Sequence, residues 1–141
     1  MNTTRAWWPL SEGFHHYLAR CSYLLQQGLF VADVAYYYGD HAPNFASPAP
    51  LIAGLPEGYD FDVVNSEVIL EKMSVKNGRL YLPQGQSYAM LVLPQGEWRV
   101  SLPVLKKVQK LIEQGATVLG NKPTSVYGLR QWREQEEELN G

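Results

Sequence analysis

The chain has 141 residues, of which 45% are hydrophobic and 18% are charged, and its formal net charge is −2. This length fits one domain with a real core, and the charge predicts neither nucleic acid nor an anionic membrane as a partner. No stretch approaches the roughly 20 apolar residues of a membrane span. A single cysteine, Cys21, excludes an internal disulfide framework but leaves the compartment open.

The first part of the chain predicts a helix, a strand and a long loop. Apolar residues recur at three- and four-residue steps over residues 10–25, which predicts an amphipathic helix that ends near Gly28. Residues 30–38 are rich in β-branched and aromatic side chains and predict a buried strand. Residues 41–58 are rich in proline, so we expect a surface loop that is functional or faces another domain.

The middle of the chain predicts a short helix and a hairpin. Residues 59–64 are expected to be an extended approach, after which Asn65 is placed to cap a helix over residues 66–73. Asn77 and Gly78 stand between two apolar segments, and this dipeptide is a strong signal for a two-residue β-hairpin turn.

The last part of the chain returns to alternating strands and helices. A compact apolar strand is predicted at 88–93, and a helix capped by Ser101 continues to Gly115. A strand at 116–119 and a polar helix from 129 to 140 complete the order. Such alternation predicts an α/β fold with a mostly parallel sheet and helices on both faces, of which a flavodoxin-like three-layer sandwich is the simplest form.

Several segments together resemble bacterial α-L-rhamnosidases of glycoside hydrolase family 106. They are NTTRAWWP at 2–9, YLARCSYLLQQG at 17–28, VADVAYYYG at 31–39, LPxGYDFDVVN at 55–65, LVLP at 91–94 and GATVLG at 115–120. The pattern is also similar to the class I glutamine amidotransferase-like domain that is attached to several glycosidase barrels. The resemblance covers residues 2–127.

The resemblance implies three parts and a role. Residues 1–28 would be a linker and helix from the end of a catalytic barrel, 29–127 the amidotransferase-like α/β domain, and 128–141 a polar helical tail. The family's catalytic carboxylates and bound calcium would belong to the barrel, so no cofactor is expected in this chain. The chain would be a non-catalytic accessory domain that buttresses the barrel of a polysaccharide-degrading α-L-rhamnosidase.

Four residues are candidates for contact with a carbohydrate. The resemblance places Trp7 and Trp8 in a loop at the barrel end, although tryptophan is also a common anchor between domains. Tyr38 and Asp40 fall at the carboxyl end of the first predicted strand, and ligands of open α/β sheets bind at the carboxyl ends of strands.

Three aspartates have alternative readings. Asp60 and Asp62 are two residues apart on an extended segment, so their side chains point the same way, and glycosidic cleavage needs two carboxyl groups. The favoured reading is that both are loop or capping residues. Asp33 lies inside the predicted first strand, where it is expected either to face solvent or a neighbouring domain, or to pair with an arginine such as Arg20.

Other reactive side chains predict little chemistry. His15 and His16 are adjacent on a helix and do not share a face, and His41 stands alone, so no metal site is expected. Cys21 lies on the apolar stripe and is expected to be an inert core thiol. An amidotransferase nucleophile would be a cysteine after the predicted strand at 88–93, where this chain has none.

Two further functions remain open from the sequence. One is a stand-alone carbohydrate- or ligand-binding α/β module, and the other is a small flavodoxin-like enzyme, for which neither a nucleophile nor a cofactor loop is visible. An exposed apolar patch larger than a typical monomer carries would favour the accessory domain over the module.

Overall fold

The computed structural model describes residues 4, 6–40, 55–128 and 132–140, which belong to two compact units, 1–30 and 31–141. The sequence-based boundary lies after residue 28, two positions earlier, and the predicted tail from 128 falls within the second unit. Most of the proline-rich loop, residues 41–54, lies outside the described residues. Among the helices that the structure describes, none is long and apolar enough to span a membrane.

The first unit contains a single turn of 3-10 helix, Trp8–Leu10, followed by helix α1, Glu12–Leu25. Ser11 joins the two, because its hydroxyl donates to the Trp8 carbonyl oxygen at 2.6 Å and its own carbonyl accepts from the His15 amide. The predicted helix is confirmed, yet none of its residues is buried. Its apolar face is therefore open in this structure.

The second unit has nine short strands, two helices and one π-helical segment among its described residues. In chain order these are β1 (Val34–Tyr37), β2 (Phe61–Val64), the π-helical segment (Val68–Lys72), β3 (Ser74–Lys76), β4 (Arg79–Tyr81), β5 (Ser87–Tyr88), β6 (Met90–Val92), β7 (Arg99–Val100), α2 (Leu102–Glu113), β8 (Thr117–Leu119), β9 (Ser125–Val126) and α3 (Trp132–Asn140).

The central sheet has the order β2-β1-β6-β8, and all of its neighbouring strands are parallel. The mostly parallel α/β architecture predicted from the sequence is thus present. Strands β3, β4 and β5 form a separate antiparallel sheet around the predicted Asn77-Gly78 turn, where Asn77 adopts a positive φ of 51°. The pair β7 and β9 is a third, two-stranded sheet.

Three sequence-based boundaries differ from the structure. The first strand is shorter than residues 30–38, so Asp33 precedes the strand instead of lying inside it. Residues expected to be only an extended approach form β2, because their backbone pairs with β1 in register from Val34 opposite Phe61. The apolar segment at 88–93 divides at Ala89, since β5 pairs with the hairpin and β6 with the central sheet.

The alternation of side chains along the strands gives the sheet one main core face. Ala35, Tyr37 and Leu91 point to the side where α2 and the π-helical segment pack, in a cluster that also contains Ile69 and Val104. Val34 and Val92 point to the opposite face, where the described residues form a smaller cluster. The main core therefore lies between the sheet and α2.

Candidate functional site

The carboxyl end of β1 carries two of the predicted contact residues, Tyr38 and Asp40. Gly39 between them has a φ of 95°, which turns the chain at the edge of the sheet. The Asp40 carboxylate accepts a hydrogen bond from the Ser101 backbone N–H at 2.6 Å and another from the Ser66 hydroxyl. Asp40 thereby joins the first strand to the starts of two later helical segments.

The position of Asp40 at a helix N-terminus favours the charged form of its carboxylate. Ser101 is the N-cap residue of α2 but forms no capping bond through its own side chain, so Asp40 supplies the anionic oxygen at the positive end of the helix. Burial opposes ionisation of Asp40. The hydrogen bonds from Ser66, Tyr37 and Ser101 outweigh it and hold the pKa of this carboxyl below its ordinary value.

Aromatic residues fill the space beside Asp40. Tyr37 is fully buried, its hydroxyl lies 3.3 Å from the Ser66 Oγ, and burial raises its pKa. Trp98 is only 7% exposed and meets the Tyr37 ring edge-on at 6.0 Å between centroids. Its indole N–H donates to the Asn121 carbonyl oxygen at 2.9 Å. Tyr37 thus packs between the Trp98 ring and the Ser66 hydroxyl, which also bonds to Asp40.

The three aspartates near the start of the sheet have partners within the fold. The Asp62 carboxylate accepts from the Tyr88 hydroxyl at 2.8 Å, and burial followed by the Asp62 charge raises the pKa of Tyr88. Asp60 accepts from the Phe61 amide at 2.8 Å, and Asp33 accepts from the Asp60 amide at 3.4 Å. Asp60 lies in the loop before β2, as the loop reading expects. Asp62 lies within β2, so the loop or capping reading is wrong for Asp62, whose carboxylate bonds to the Tyr88 hydroxyl instead.

Trp7 and Trp8 lie in the first unit, before α1. Trp7 is 48% exposed, and its ring centroid is 6.2 Å from that of Trp8. Trp8 in turn packs at 5.1 Å against His15, whose buried Nε2 has no hydrogen-bond partner in the described chain. The two tryptophans begin an aromatic cluster on the same unit as the open face of α1.

The expected absence of a metal site remains a prediction. Within residues 4, 6–40, 55–128 and 132–140, no three histidine, cysteine or carboxylate side chains come together as a metal site would require. His41 lies outside the described residues. Cys21 is a free thiol and only half-buried, so the expectation of a core thiol is wrong; α1 has no core around it.

Sequence reasoning missed Ser66 and Ser101 as partners of Asp40. They are 26 and 61 residues away along the chain, so no local spacing connects them. The available signal was an aspartate directly after a buried strand, at the sheet edge where helix N-termini also lie in α/β folds.

Comparisons with known proteins point to carbohydrate-cleaving enzymes. The model of glycoside hydrolase family 106, described as alpha-L-rhamnosidase, matches residues 1–140. A protein of Formosa agariphila named "Putative beta-glucuronidase" is 39% identical over 122 residues, which are 86% of this chain and 10% of that protein. The structure of a rhamnosidase from Novosphingobium sp. PP1Y matches with a TM-score of 0.70 and 31% identity, over 92% of this chain and 13% of that one.

Proposed function

This chain belongs to glycoside hydrolase family 106, the α-L-rhamnosidase family, and we propose that it is a non-catalytic accessory α/β domain of a longer glycoside hydrolase. It spans only about a tenth of the curated relative and 13% of the rhamnosidase structure. Catalysis, cleavage of α-L-rhamnosyl linkages in polysaccharides and any bound calcium would then belong to the rest of such a protein.

The observation that carries this proposal is that Asp40, at the carboxyl edge between β1 and β6, is held by hydrogen bonds from within the fold. In open α/β sheets, ligands bind where the strand order reverses, and here the order reverses between these two strands. Asp40 already occupies the N-terminus of α2 there, and Trp98 packs against Tyr37. A carboxylate that is held in structural hydrogen bonds at this edge suits support better than chemistry.

The open apolar face of α1 supports a role as a contact surface. Its large exposed side chains include Phe14 at 51%, Tyr17 at 58%, Leu24 at 68% and Leu25 at 87%. A row of this kind on a helix is typical of a surface that another protein region covers. In this proposal, the catalytic barrel of the longer protein covers that face.

The fold assignment that accompanies the proposal is a flavodoxin-like sandwich of the class I glutamine amidotransferase type. The order β2-β1-β6-β8 corresponds to the first four strands of the flavodoxin order 2-1-3-4-5. The chain after β6 runs through Leu93, Pro94 and Gln95, so an amidotransferase nucleophile is missing at that elbow. The domain would keep the scaffold without its chemistry.

Hydrolysis of aryl glycosides tests the non-catalytic role. We expect this chain to release no 4-nitrophenol from 4-nitrophenyl α-L-rhamnopyranoside or from 4-nitrophenyl β-D-glucuronide. Turnover that disappears in Asp60→Asn or Asp62→Asn would contradict the proposal, because it would make this carboxylate pair a glycosidase site.

The alternative is a stand-alone carbohydrate-binding module, which the exposed ring of Trp7 favours. Calorimetric titration with L-rhamnose separates the two functions. The accessory domain predicts no heat of binding, whereas saturable binding that Trp7→Ala abolishes and Trp132→Ala retains would favour the module. Trp132 is a suitable control because it is similarly exposed, at 51%.

A further inference from the structure

The outer edge of β8 is a second unpartnered feature of the α/β unit. β8 is the last strand of the central sheet, and its ladder to β6 is followed by a bond from the Leu93 amide to the Leu119 carbonyl oxygen. Since backbone groups alternate along a strand, Thr117 and Leu119 bond toward β6 while Val118 presents its N–H and C=O outward. β9, which follows along the chain, pairs with β7 and leaves this edge uncovered among the described strands.

An apolar groove of about 430 Å³ adjoins this edge, between β8 and α2. Its walls include Leu105, Val108 and Val118. Ile112 on the same groove is 50% exposed, and Leu119 at the edge is 59% exposed. The edge strand carries no charge, proline or bulge that would discourage pairing with another strand.

Opposite charges stand at the two ends of the groove. Glu113 ends α2 and comes four residues before β8, whereas Lys122 comes three residues after it. Both are exposed, and neither forms an ion pair within the part of the chain that the structure describes. In an antiparallel pair of β8 strands, the amino end of one strand meets the carboxyl end of the other, which would bring Glu113 of each copy to the same end of the interface as Lys122 of its partner.

We propose that β8 pairs with β8 of a second copy of this chain around a twofold axis at Val118. The two Val118 residues exchange both backbone hydrogen bonds, and Thr117 of each copy lies opposite Leu119 of the other. The four-stranded sheets join into one of eight strands. This inference concerns a different surface from α1, and it is made for the chain of 141 residues, in which no described strand lies beyond β8.

Charge reversal tests the pairing in solution. The measurement is the dimer dissociation constant by sedimentation equilibrium, in a background with Leu24→Gln and Leu25→Gln that suppresses association through α1. We expect Glu113→Lys and Lys122→Glu each to weaken the dimer several-fold, and the double reversal to restore it, because both partners are then reversed together. A monomer in the background chain, or a dimer that ignores the reversals, would overturn the proposal.

Cysteine cross-linking tests the register. In a Cys21→Ser background, the double variant Thr117→Cys, Leu119→Cys places two thiol pairs across the proposed interface at the short spacing of a non-hydrogen-bonded pair. The control is Ser74→Cys, Lys76→Cys in β3, an outer strand with the same exposed–half-buried–exposed pattern. We expect a disulfide-linked dimer from the first variant only; equal cross-linking of both, or of neither, would rule out the β8 pairing.

Discussion

Asp40 links three elements of the α/β unit through its carboxylate. It stands after the first strand, yet its partners Ser66 and Ser101 begin helical segments formed much later along the chain. The Asp40 carboxylate accepts hydrogen bonds at the starts of both helical segments, so its negative charge stabilises the fold. The same contacts leave Asp40 little capacity to bind a sugar hydroxyl.

The first prediction concerns the strength of this contact. Asp40→Asn should lower the free energy of unfolding by about 1–3 kcal/mol, because asparagine has no charge and only one acceptor oxygen for the two hydrogen bonds from Ser66 and Ser101. Asp60→Asn is the control, since Asp60 is exposed and its carboxylate bonds only to the next residue's amide in the described contacts. Urea denaturation measures both, and equal losses would contradict the role of Asp40.

The second prediction is a pH dependence with a definite sign. The pKa of Asp40 is lower in the folded chain, so its ionised form stabilises folding. This stability is present above the unfolded pKa of about 3.9 and is lost as the pH falls through the lower folded value. The difference in unfolding free energy between the wild type and Asp40→Asn should therefore shrink from pH 6 to pH 3. A constant difference would contradict the account.

At the scale of elements, Gly120 controls how closely the end of β8 approaches β6. Its φ is 145°, and a Cβ there would lie 2.6 Å from the Leu93 Cβ. Gly120→Ala should cost roughly 1–3 kcal/mol more than Gly128→Ala, which has a φ of 139° but nothing within 4 Å of its Cβ. Chemical denaturation compares the two, and similar losses would show that backbone strain alone matters.

Substitutions in the two long helices, α1 and α2, should change the free energy of unfolding by very different amounts. Leu111 on α2 is 1% exposed, so Leu111→Ala should cost about 2–5 kcal/mol. Leu25 on α1 is 87% exposed, so Leu25→Gln should change the unfolding free energy by less than about 0.5 kcal/mol. Thermal and urea unfolding of the two variants check this contrast, and a large loss from Leu25→Gln would contradict the open face.

Elements with strong local signals were predictable from the sequence. Asn77 and Gly78 specify their turn by backbone conformation, and Asn65 caps the helical turn that begins at Ser66 through a bond from the Val68 amide at 3.0 Å. The π-type hydrogen bonding itself was not predicted. The division at Ala89 and the pairing of β7 with β9 depend on partners distant in sequence, which no local pattern identifies.

The candidate site also has features that the sequence predicts and features that it does not. The location of Asp40 at the sheet edge could be predicted from its place after a buried strand, whereas its use as a cap for α2 required the tertiary fold. The apolar stripe of α1 was visible in the sequence, but its open state in this structure was not. Exposure depends on what surrounds a helix, and periodicity reports only which face is apolar.

At the scale of the whole molecule, two observations favour a supporting role. At the sheet edge where α/β folds bind ligands, Asp40 is held by the Ser101 amide and the Ser66 hydroxyl, and the apolar face of α1 is exposed. The chain also matches only a small part of its relatives. Together these observations favour a domain that would contribute to a glycoside hydrolase by packing against the rest of that protein.

The most direct test is to place the same polar substitutions in two contexts. Phe14→Gln, Leu24→Gln and Leu25→Gln together should leave the unfolding temperature of this chain nearly unchanged, because all three side chains are at least half exposed. In the longer enzyme that we propose, the same changes should lower the unfolding temperature by several degrees, because they would fall in a buried contact. An unchanged unfolding temperature in both proteins would contradict the accessory role of this face.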